Sequence, residues 1–261
     1  MKNVLEIRDL DKSFVSNKDG SLLHVVDHIS FDLAEGEFLG IVGESGCGKS
    51  TIAKLVMGLH RPDSGEICIA GQPVTWPYTR EVYRKMQMIF QMPKDSFDPR
   101  RTIGKCLASV LKNFGTRASD CRARSVELLA QVGLSEAFLD KYPHEMSGGE
   151  CQRAAIARAM AASPEILICD EITSALDVSV QAQIVDLILR LKESGRLSVI
   201  FISHDLALVQ GLCTRIMVMN HGVIVEDGDA REITNAPKDA YTKKLMSSIL
   251  TVESQRKELH R

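Results

Sequence analysis

The chain has 261 residues, enough for one large domain or two small ones with a sizeable buried core. Hydrophobic residues make up 44% and charged residues 25%, and 32 Lys plus Arg against 34 Asp plus Glu leave no global field to draw the chain onto nucleic acid or an anionic membrane. Seven scattered cysteines (Cys47, Cys68, Cys106, Cys121, Cys151, Cys169 and Cys213) form no CxxC pair, which argues against a disulfide framework or a zinc site and fits a reducing compartment.

Met1–Lys12 mixes charges with Val4, Leu5, Ile7 and Leu10, a pattern unlike a signal peptide. The longest apolar runs, Ile166–Cys169 and Ser198–Ser203, fall far short of the ~20 residues a spanning helix needs, so any membrane role is expected to come through partners. No internal repeat and no low-complexity stretch is present, which makes a single domain over 1–235 with a short carboxyl-terminal helical tail over 236–261 the simplest expectation.

In chain order, strands are predicted at Val4–Leu10, His24–Leu33 and Phe38–Val42, the last two separated by the turn Ala34-Glu35-Gly36-Glu37. Ile52, Leu55, Val56 and Leu59 at helical spacing predict a helix from Lys49 to about Leu59. Pro62-Asp63-Ser64-Gly65 is turn chemistry, followed by a strand at Glu66–Ala70. From about 93 to 160 the pattern becomes helical, with Cys106, Val110 and Leu111 on one face and Val126, Leu129, Ala130 and Leu134 on another. Short β-rich runs then alternate with helices: Ile166–Cys169, Val180–Lys192, Val199–Ile202, Ala207–Leu212, Ile216–Met219 and Val223–Val225. That alternation implies a doubly wound, mainly parallel sheet, with the helical block forming an inserted subdomain. After about Glu226 a mostly helical tail is expected, its charged last dozen residues frayed.

Three motifs carry chemistry. Gly43-Glu44-Ser45-Gly46-Cys47-Gly48-Lys49-Ser50-Thr51 follows an apolar strand and opens a helix, the context a phosphate-binding loop requires. Its glycines let backbone N–H groups turn onto a β-phosphate, Lys49 sets a point charge on the β/γ oxygens, the Ser50 hydroxyl can ligate Mg²⁺, and the helix end favours anions. Cys47 is read as a small residue presenting its backbone. Ile166-Leu167-Ile168-Cys169-Asp170-Glu171 is a buried strand ending in acids at the sheet's carboxyl edge, where Asp170 is placed to hold Mg²⁺ and Glu171 to polarise an attacking water. Met146-Ser147-Gly148-Gly149-Glu150 opens the helix Cys151–Ala162, a second anion-ready amino terminus.

With these motifs in this order, the chain resembles ABC-transporter ATPase subunits over nearly its whole length. The resemblance implies an α/β P-loop NTPase of the ABC ATPase fold: a mainly parallel sheet core, an antiparallel amino-terminal β-subdomain and the inserted helical subdomain over about 93–160. It implies ATP and Mg²⁺ as ligands, with Ser147, Gly148 and Gly149 touching the γ-phosphate held by a second subunit. By position it also implies that Gln91 meets Mg²⁺ and the attacking water and that His204 contacts the γ-phosphate and orients Glu171. Asp177 then belongs to a loop crossing the dimer interface, and Phe14 stacks on adenine. Glu150, Cys151 and Ile172 depart mildly from the family pattern, and none of these changes removes a catalytic group.

Within the family, Asp95–Arg100, Thr173–Gln181 and the tail Ala236–Leu245, with its Pro237 and Tyr241-Thr242-Lys243, resemble importers of the oligopeptide, dipeptide and nickel group. That resemblance implies a peripheral subunit at the cytoplasmic face of the inner membrane, beneath two permease subunits. Its partner is a second ABC ATPase, a heterodimer before a homodimer, served indirectly by an extracytoplasmic binding protein and without nucleic acid. The absence of cysteines after Cys213 argues against the tail iron–sulfur cluster of some group members. Peptide, nickel and metal chelate stay open as cargo, and an exporter subunit stays open as an alternative. A nucleic-acid-linked ABC ATPase is disfavoured by the single compact helical block between Lys49 and Ser147, and a small-molecule kinase leaves Ser147–Gly149 unexplained.

Overall fold

The computed structural model describes residues 2–16, 19–174, 176–193 and 197–247. The chain forms two compact units, one of residues Met1–Pro77 with Ile200–Arg261, the other of Tyr78–Val199.

In the first unit, strands β1 (Asn3–Val15) and β2 (Leu22–Ala34) pair antiparallel, and β4 (Ser64–Ile69) and β5 (Gln72–Pro73) extend the sheet in the order β2-β1-β4-β5. The two-residue side-chain period sets the register: Leu5 faces both Leu33 and Ile69, and Ile7 faces Phe31 and Ile67, so one apolar face is built across three strands. Both long strands run further than the predicted Val4–Leu10 and His24–Leu33. Register shifts on either side of Leu10, with Asp9 and His28 at φ of 51° and 49°, break the simple alternation that a sequence reading follows.

β3 (Phe38–Val42) is buried at all five positions, as its unbroken apolar run requires. It pairs parallel with β9 (Arg215–Asn220), Leu39 opposite Arg215 and Val42 opposite Val218, while β10 (Val223–Asp229) adds antiparallel to β9. The predicted helical tail after Glu226 thus begins later than expected, because the strand runs on to Asp229. Arg215 fixes this edge: its Nε and Nη2 donate to the Asp227 carboxylate at 2.7 and 2.6 Å and its Nη1 to the Asp32 carbonyl at 3.2 Å. Helix α1 (Lys49–Val56) ends before the predicted Leu59. Gly58, at φ 69°, turns left-handed, and the N–H groups of Gly58 and Leu59 close on the Leu55 and Lys54 carbonyls. That Schellman-type stop leaves Leu59 47% exposed.

The unit also holds helices α7 (Leu206–Leu212) and α8 (Ala230–Asn235), then a helical stretch over 240–247. Helix α7 is capped by Asp205, whose carboxylate accepts from Leu208 N. The frayed end expected beyond 247 lies outside the described residues.

In the second unit, α2 (Arg80–Lys85) runs directly into β6 (Met86–Ile89). β6 pairs parallel with β7 (Ile166–Asp170), Met86 opposite Ile166 and Ile89 opposite Cys169. The helical block contains α3 (Ile103–Asn113), α4 (Cys121–Gln131) and α5 (Gly148–Met160), and α6 (Val178–Glu193) follows β7. Helix α3 buries Ile103, Cys106, Leu107 and Leu111, with Val110 only half-buried. On α4 the buried stripe is Cys121, Ser125, Leu128 and Leu129, while Val126 is half-buried and Ala130 exposed, which corrects the predicted face. Ser125 can occupy the core because its hydroxyl donates to the Cys121 carbonyl at 2.7 Å, so the polar group is satisfied within its own helix.

Among the described residues, which include every cysteine, no disulfide forms, and all seven thiols are buried. No described helix is long and apolar enough to cross a membrane.

Candidate functional site

The first unit carries the phosphate loop. Gly43 and Gly48 have φ of 155° and 110°, and a Cβ on either would strike backbone: at 2.2 Å from the Met219 carbonyl oxygen and at 2.5 Å from that of Val25. The loop is therefore wedged between β2 and the end of β9, and Gly222 N–H donates to the Cys47 carbonyl at 3.1 Å to hold its far side. Only a residue without a side chain fits at those two positions. Gly48 caps α1, its carbonyl accepting from the Thr51 and Ile52 N–H groups at 3.0 Å each, and the amino-terminal end of the helix favours an anion.

Lys49 is 4% exposed, and its ammonium faces the Gly43 and Glu44 carbonyls at 2.8 Å each and Cys47 Sγ at 3.7 Å. A buried cation needs such compensation, and the carbonyls place the charge at the centre of the loop. Cys47 is itself buried, its backbone carbonyl accepting from Gly222 N–H and its Sγ facing the Lys49 ammonium. One contact was not anticipated: Glu44 N–H donates to the hydroxyl oxygen of Tyr241 at 2.9 Å. Tyr241 was legible only as part of a tail motif, because nothing local in the sequence links residues 197 positions apart.

His204 follows β8 (Ser198–Ile202), and the residue before it, Ser203, donates from its backbone N–H to the Ile41 carbonyl at 3.2 Å. The His204 loop and the start of the phosphate loop thus leave neighbouring strand ends, with His204 exposed. Phe14 lies near the free end of β1, half-buried, with its ring edge-on to His60 at 5.4 Å and Lys12 Nζ 5.4 Å from its centroid.

The second unit carries the acids. Asp170 ends β7 and is 4% exposed. Glu171 then turns to φ 48°, a left-handed conformation that is uncommon for a residue with a side chain and is held by the Ser174 hydroxyl and N–H donating to its carbonyl at 2.9 and 3.2 Å. This turn swings the Glu171 carboxylate to Gln91, whose Nε2 donates to Oε2 at 3.0 Å. The structure thus joins two residues that the sequence separates by 80 positions. Gln91 sits two residues beyond the end of β6 at Ile89.

Ser147 caps α5 through a capping box: its hydroxyl accepts from Glu150 N–H at 3.3 Å, and the Glu150 carboxylate accepts from Ser147 N–H at 2.9 Å. The Ser147 backbone N–H first, and the Ser147 side chain after it, hold the Glu150 carboxyl below its ordinary range. The departure from the family pattern at position 150 thus supplies the reciprocal half of the box, and the Gly148 and Gly149 N–H groups are not engaged by it. A Cβ on Gly149 would lie 2.5 Å from Val180 Cγ1, so the motif packs directly on the start of α6. Asp177 caps that helix: its carboxylate accepts from the Ser179 hydroxyl at 2.7 Å and Val180 N–H at 2.9 Å. The same bonds, the Ser179 hydroxyl first, lower its pKa. Ala175, inside the Thr173–Gln181 stretch, and the side chain of Asp95 lie outside what the structure describes.

Taken by itself, the first unit's loop fits the phosphates of a nucleotide, with a glycine cradle that a Cβ would fill and a buried ammonium; in the second unit, Asp170 and Gln91 offer carboxylate and amide oxygens, hard ligands of the kind Mg²⁺ takes.

Residues 26–174 match the ABC transporter family. The chain is 43% identical to the oligopeptide transport ATP-binding protein OppF of Salmonella typhimurium, over 95% of this chain and 78% of that protein. It is 38% identical to the probable D,D-dipeptide transport ATP-binding protein DdpF of Escherichia coli, over 98% and 82%. Among solved structures it is similar to cbiO1 from Clostridium perfringens, part of the ABC transporter complex cbiONQ, with TM-score 0.75 and 26% identity over 89% and 91% of the two chains. It is similar also to the ATP-binding cassette MJ0796, solved as a dimer in a post-hydrolysis state bound to ADP and Pi, with TM-score 0.77 and 26% identity over 87% and 99%.

Proposed function

The chain belongs to the ABC transporter family, and from that premise we propose that it is the subunit that binds and hydrolyses ATP to drive an importer of peptides. It is an ATPase coupled to transport. Peptide is the proposed cargo class because the relatives named above carry oligopeptide and dipeptide transport in their names. The nickel and metal-chelate readings have no counterpart among them.

The observation that carries the nucleotide reading is the phosphate loop itself, closed by two backbone carbonyls against any side chain and centred on the buried Lys49. In the proposed reaction Gly43–Thr51 bind the phosphates, with Lys49 on the β/γ oxygens, and Phe14 stacks on the base. Ser50, Gln91 and Asp170 would hold Mg²⁺, which when bound screens the charge of the β- and γ-phosphates. Glu171 accepts a hydrogen bond from the attacking water. As the water oxygen bonds to the γ-phosphorus, the bond to the β,γ-bridging oxygen breaks, giving ADP and phosphate. The Gln91 amide on Glu171 orients the carboxylate, and His204 is assigned to the γ-phosphate.

We infer that the site is completed in trans. Gly148 and Gly149 of one cassette would meet the γ-phosphate bound to another, Asp177 would lie at the same interface, and ATP would favour only the closed pair. The proposed assembly sets the chain, as a single ABC domain over 1–235 with the helical block 93–160 inserted and a tail over 236–261, at the cytoplasmic face of the membrane. There it would sit beneath two permease subunits with a second, different cassette and, indirectly, an external binding protein. Co-expression with its permeases tests this: the tagged chain is expected to copurify with integral membrane subunits and hydrolyse MgATP, and Lys49→Ala to abolish hydrolysis without dissolving the complex. A chain that never associates with a permease contradicts the transport reading.

A further inference from the structure

The Gly43–Glu44 peptide is pinned at both ends. Its carbonyl oxygen, on Gly43, accepts from Lys49 Nζ at 2.8 Å, and its N–H, on Glu44, donates to the Tyr241 hydroxyl oxygen at 2.9 Å. A peptide unit is planar, so the atom that fixes the N–H also fixes the direction of the carbonyl. Tyr241 therefore bears, through one rigid plane, on the carbonyl that holds the phosphate-loop ammonium.

Tyr241 is itself held from outside the loop. The Glu226 carboxylate on β10 accepts from Lys238 N–H at 2.8 Å and Asp239 N–H at 3.1 Å. Asp239 Oδ1 in turn accepts from Tyr241 N–H at 2.8 Å and Thr242 N–H at 3.2 Å, which caps the helical stretch that follows. Thr242 has no exposed surface and Met246 is 6% exposed, so the stretch is anchored by burial as well as by its cap. The connection runs from β10 through the clamp at 238–239 to the tyrosine and then to the loop.

We propose that Tyr241 is a positioning residue for the phosphate loop, orienting the Gly43–Glu44 peptide and with it Lys49, so that the tail segment 236–247 sets nucleotide affinity. This rests on the nucleotide reading of the loop. The residue touches no phosphate in this scheme. Loss of its hydroxyl frees one N–H and lets the peptide rotate away from the ammonium, which raises Kd for MgATP without altering the groups that act on the attacking water. The tail thereby becomes a lever: whatever draws the 236–247 segment off β10 also loosens the loop.

The test uses the full chain and Tyr241→Phe, which keeps the ring and removes the oxygen. Titration with MgATP and MgADP is expected to give Kd values about three- to tenfold higher than wild type, the scale of one net hydrogen bond. KM of the assembled transporter should rise in parallel, with kcat within twofold. The Glu44 amide resonance should move while resonances of the second unit stay in place, a pattern that a general loss of stability would not produce. Glu226→Gln, which weakens the clamp two steps away, is expected to raise Kd in the same direction by a smaller factor and serves if Tyr241→Phe fails to fold. Unchanged Kd and KM in both variants, beside a wild type that binds MgATP and a Lys49→Ala that does not, overturns the proposal alone. A wild type that fails to bind MgATP overturns the nucleotide reading and the proposal with it.

Discussion

Gly46 and Gly48 lie in the same loop with positive φ, 82° and 110°, yet they differ in what a side chain would meet. At Gly46 a Cβ has nothing within 4 Å; at Gly48 it lies 2.5 Å from the Val25 carbonyl oxygen and 2.6 Å from Met219 Cε. The methionine methyl can swing aside, but the Val25 carbonyl belongs to β2 and cannot. Both Gly→Ala changes carry the left-handed backbone cost of about 1–3 kcal/mol. Gly48→Ala adds an overpacking cost of about 1–3 kcal/mol, so it should be the less stable by that amount. For a chain of this size the difference is about 2–12 °C in Tm. Because the collision would also shift the first turn of α1, MgATP affinity should fall by more than tenfold in Gly48→Ala and by less in Gly46→Ala. Thermal unfolding followed by circular dichroism, with isothermal titration of MgATP, reads both quantities. Equal Tm values within about 1 °C and equal Kd values for the two variants would refute the reasoning that backbone contact, not glycine flexibility alone, selects residue 48.

Glu171→Gln should retain MgATP binding and the contact with Gln91, while single-turnover hydrolysis falls by about 10²–10⁴-fold; wild-type-like turnover would remove Glu171 from its role. Ser147→Ala loses the cap of α5, worth about 1 kcal/mol, and should lower steady-state ATPase in the assembled transporter more than it lowers MgATP affinity of the isolated chain. Burial pushes the Cys151 thiol up to about 11, so it stays protonated at neutral pH. Since all seven thiols are buried, Ellman's reagent should label the native chain slowly and all seven sites promptly once the chain is unfolded.

The parts of the site that depend on short-range chemistry were legible in the sequence. An apolar strand followed by glycines and Lys49 can do little else, and β3 and α1 flank the loop as expected. Asp170 ends a strand whose five residues are all buried, as the run Ile166–Cys169 indicated. What escaped was set by contacts distant in the chain or by polar groups satisfied within their own element. Ser125 reads as surface until its bond to the Cys121 carbonyl is seen, and that bond lets it sit on the buried face of α4. Helix α1 read as longer because Leu59 keeps the period, although Gly58 stops the helix. The walls of the phosphate loop, Val25 and Met219, and its tether, Tyr241, come from segments far away in sequence. The Glu171–Gln91 contact depends on a left-handed turn that no residue preference at position 171 suggests.

The central claim is that one nucleotide is closed between the phosphate loop of one cassette and the Ser147–Gly149 turn of another. Sedimentation of the Glu171→Gln chain mixed with its partner cassette tests it most directly. A stable pair should appear on adding MgATP, vanish with MgADP, and fail to form when Gly149→Arg is introduced into both cassettes at the equivalent position. Sedimentation as separate subunits at saturating MgATP, or a pair indifferent to nucleotide and to Gly149, would contradict the account.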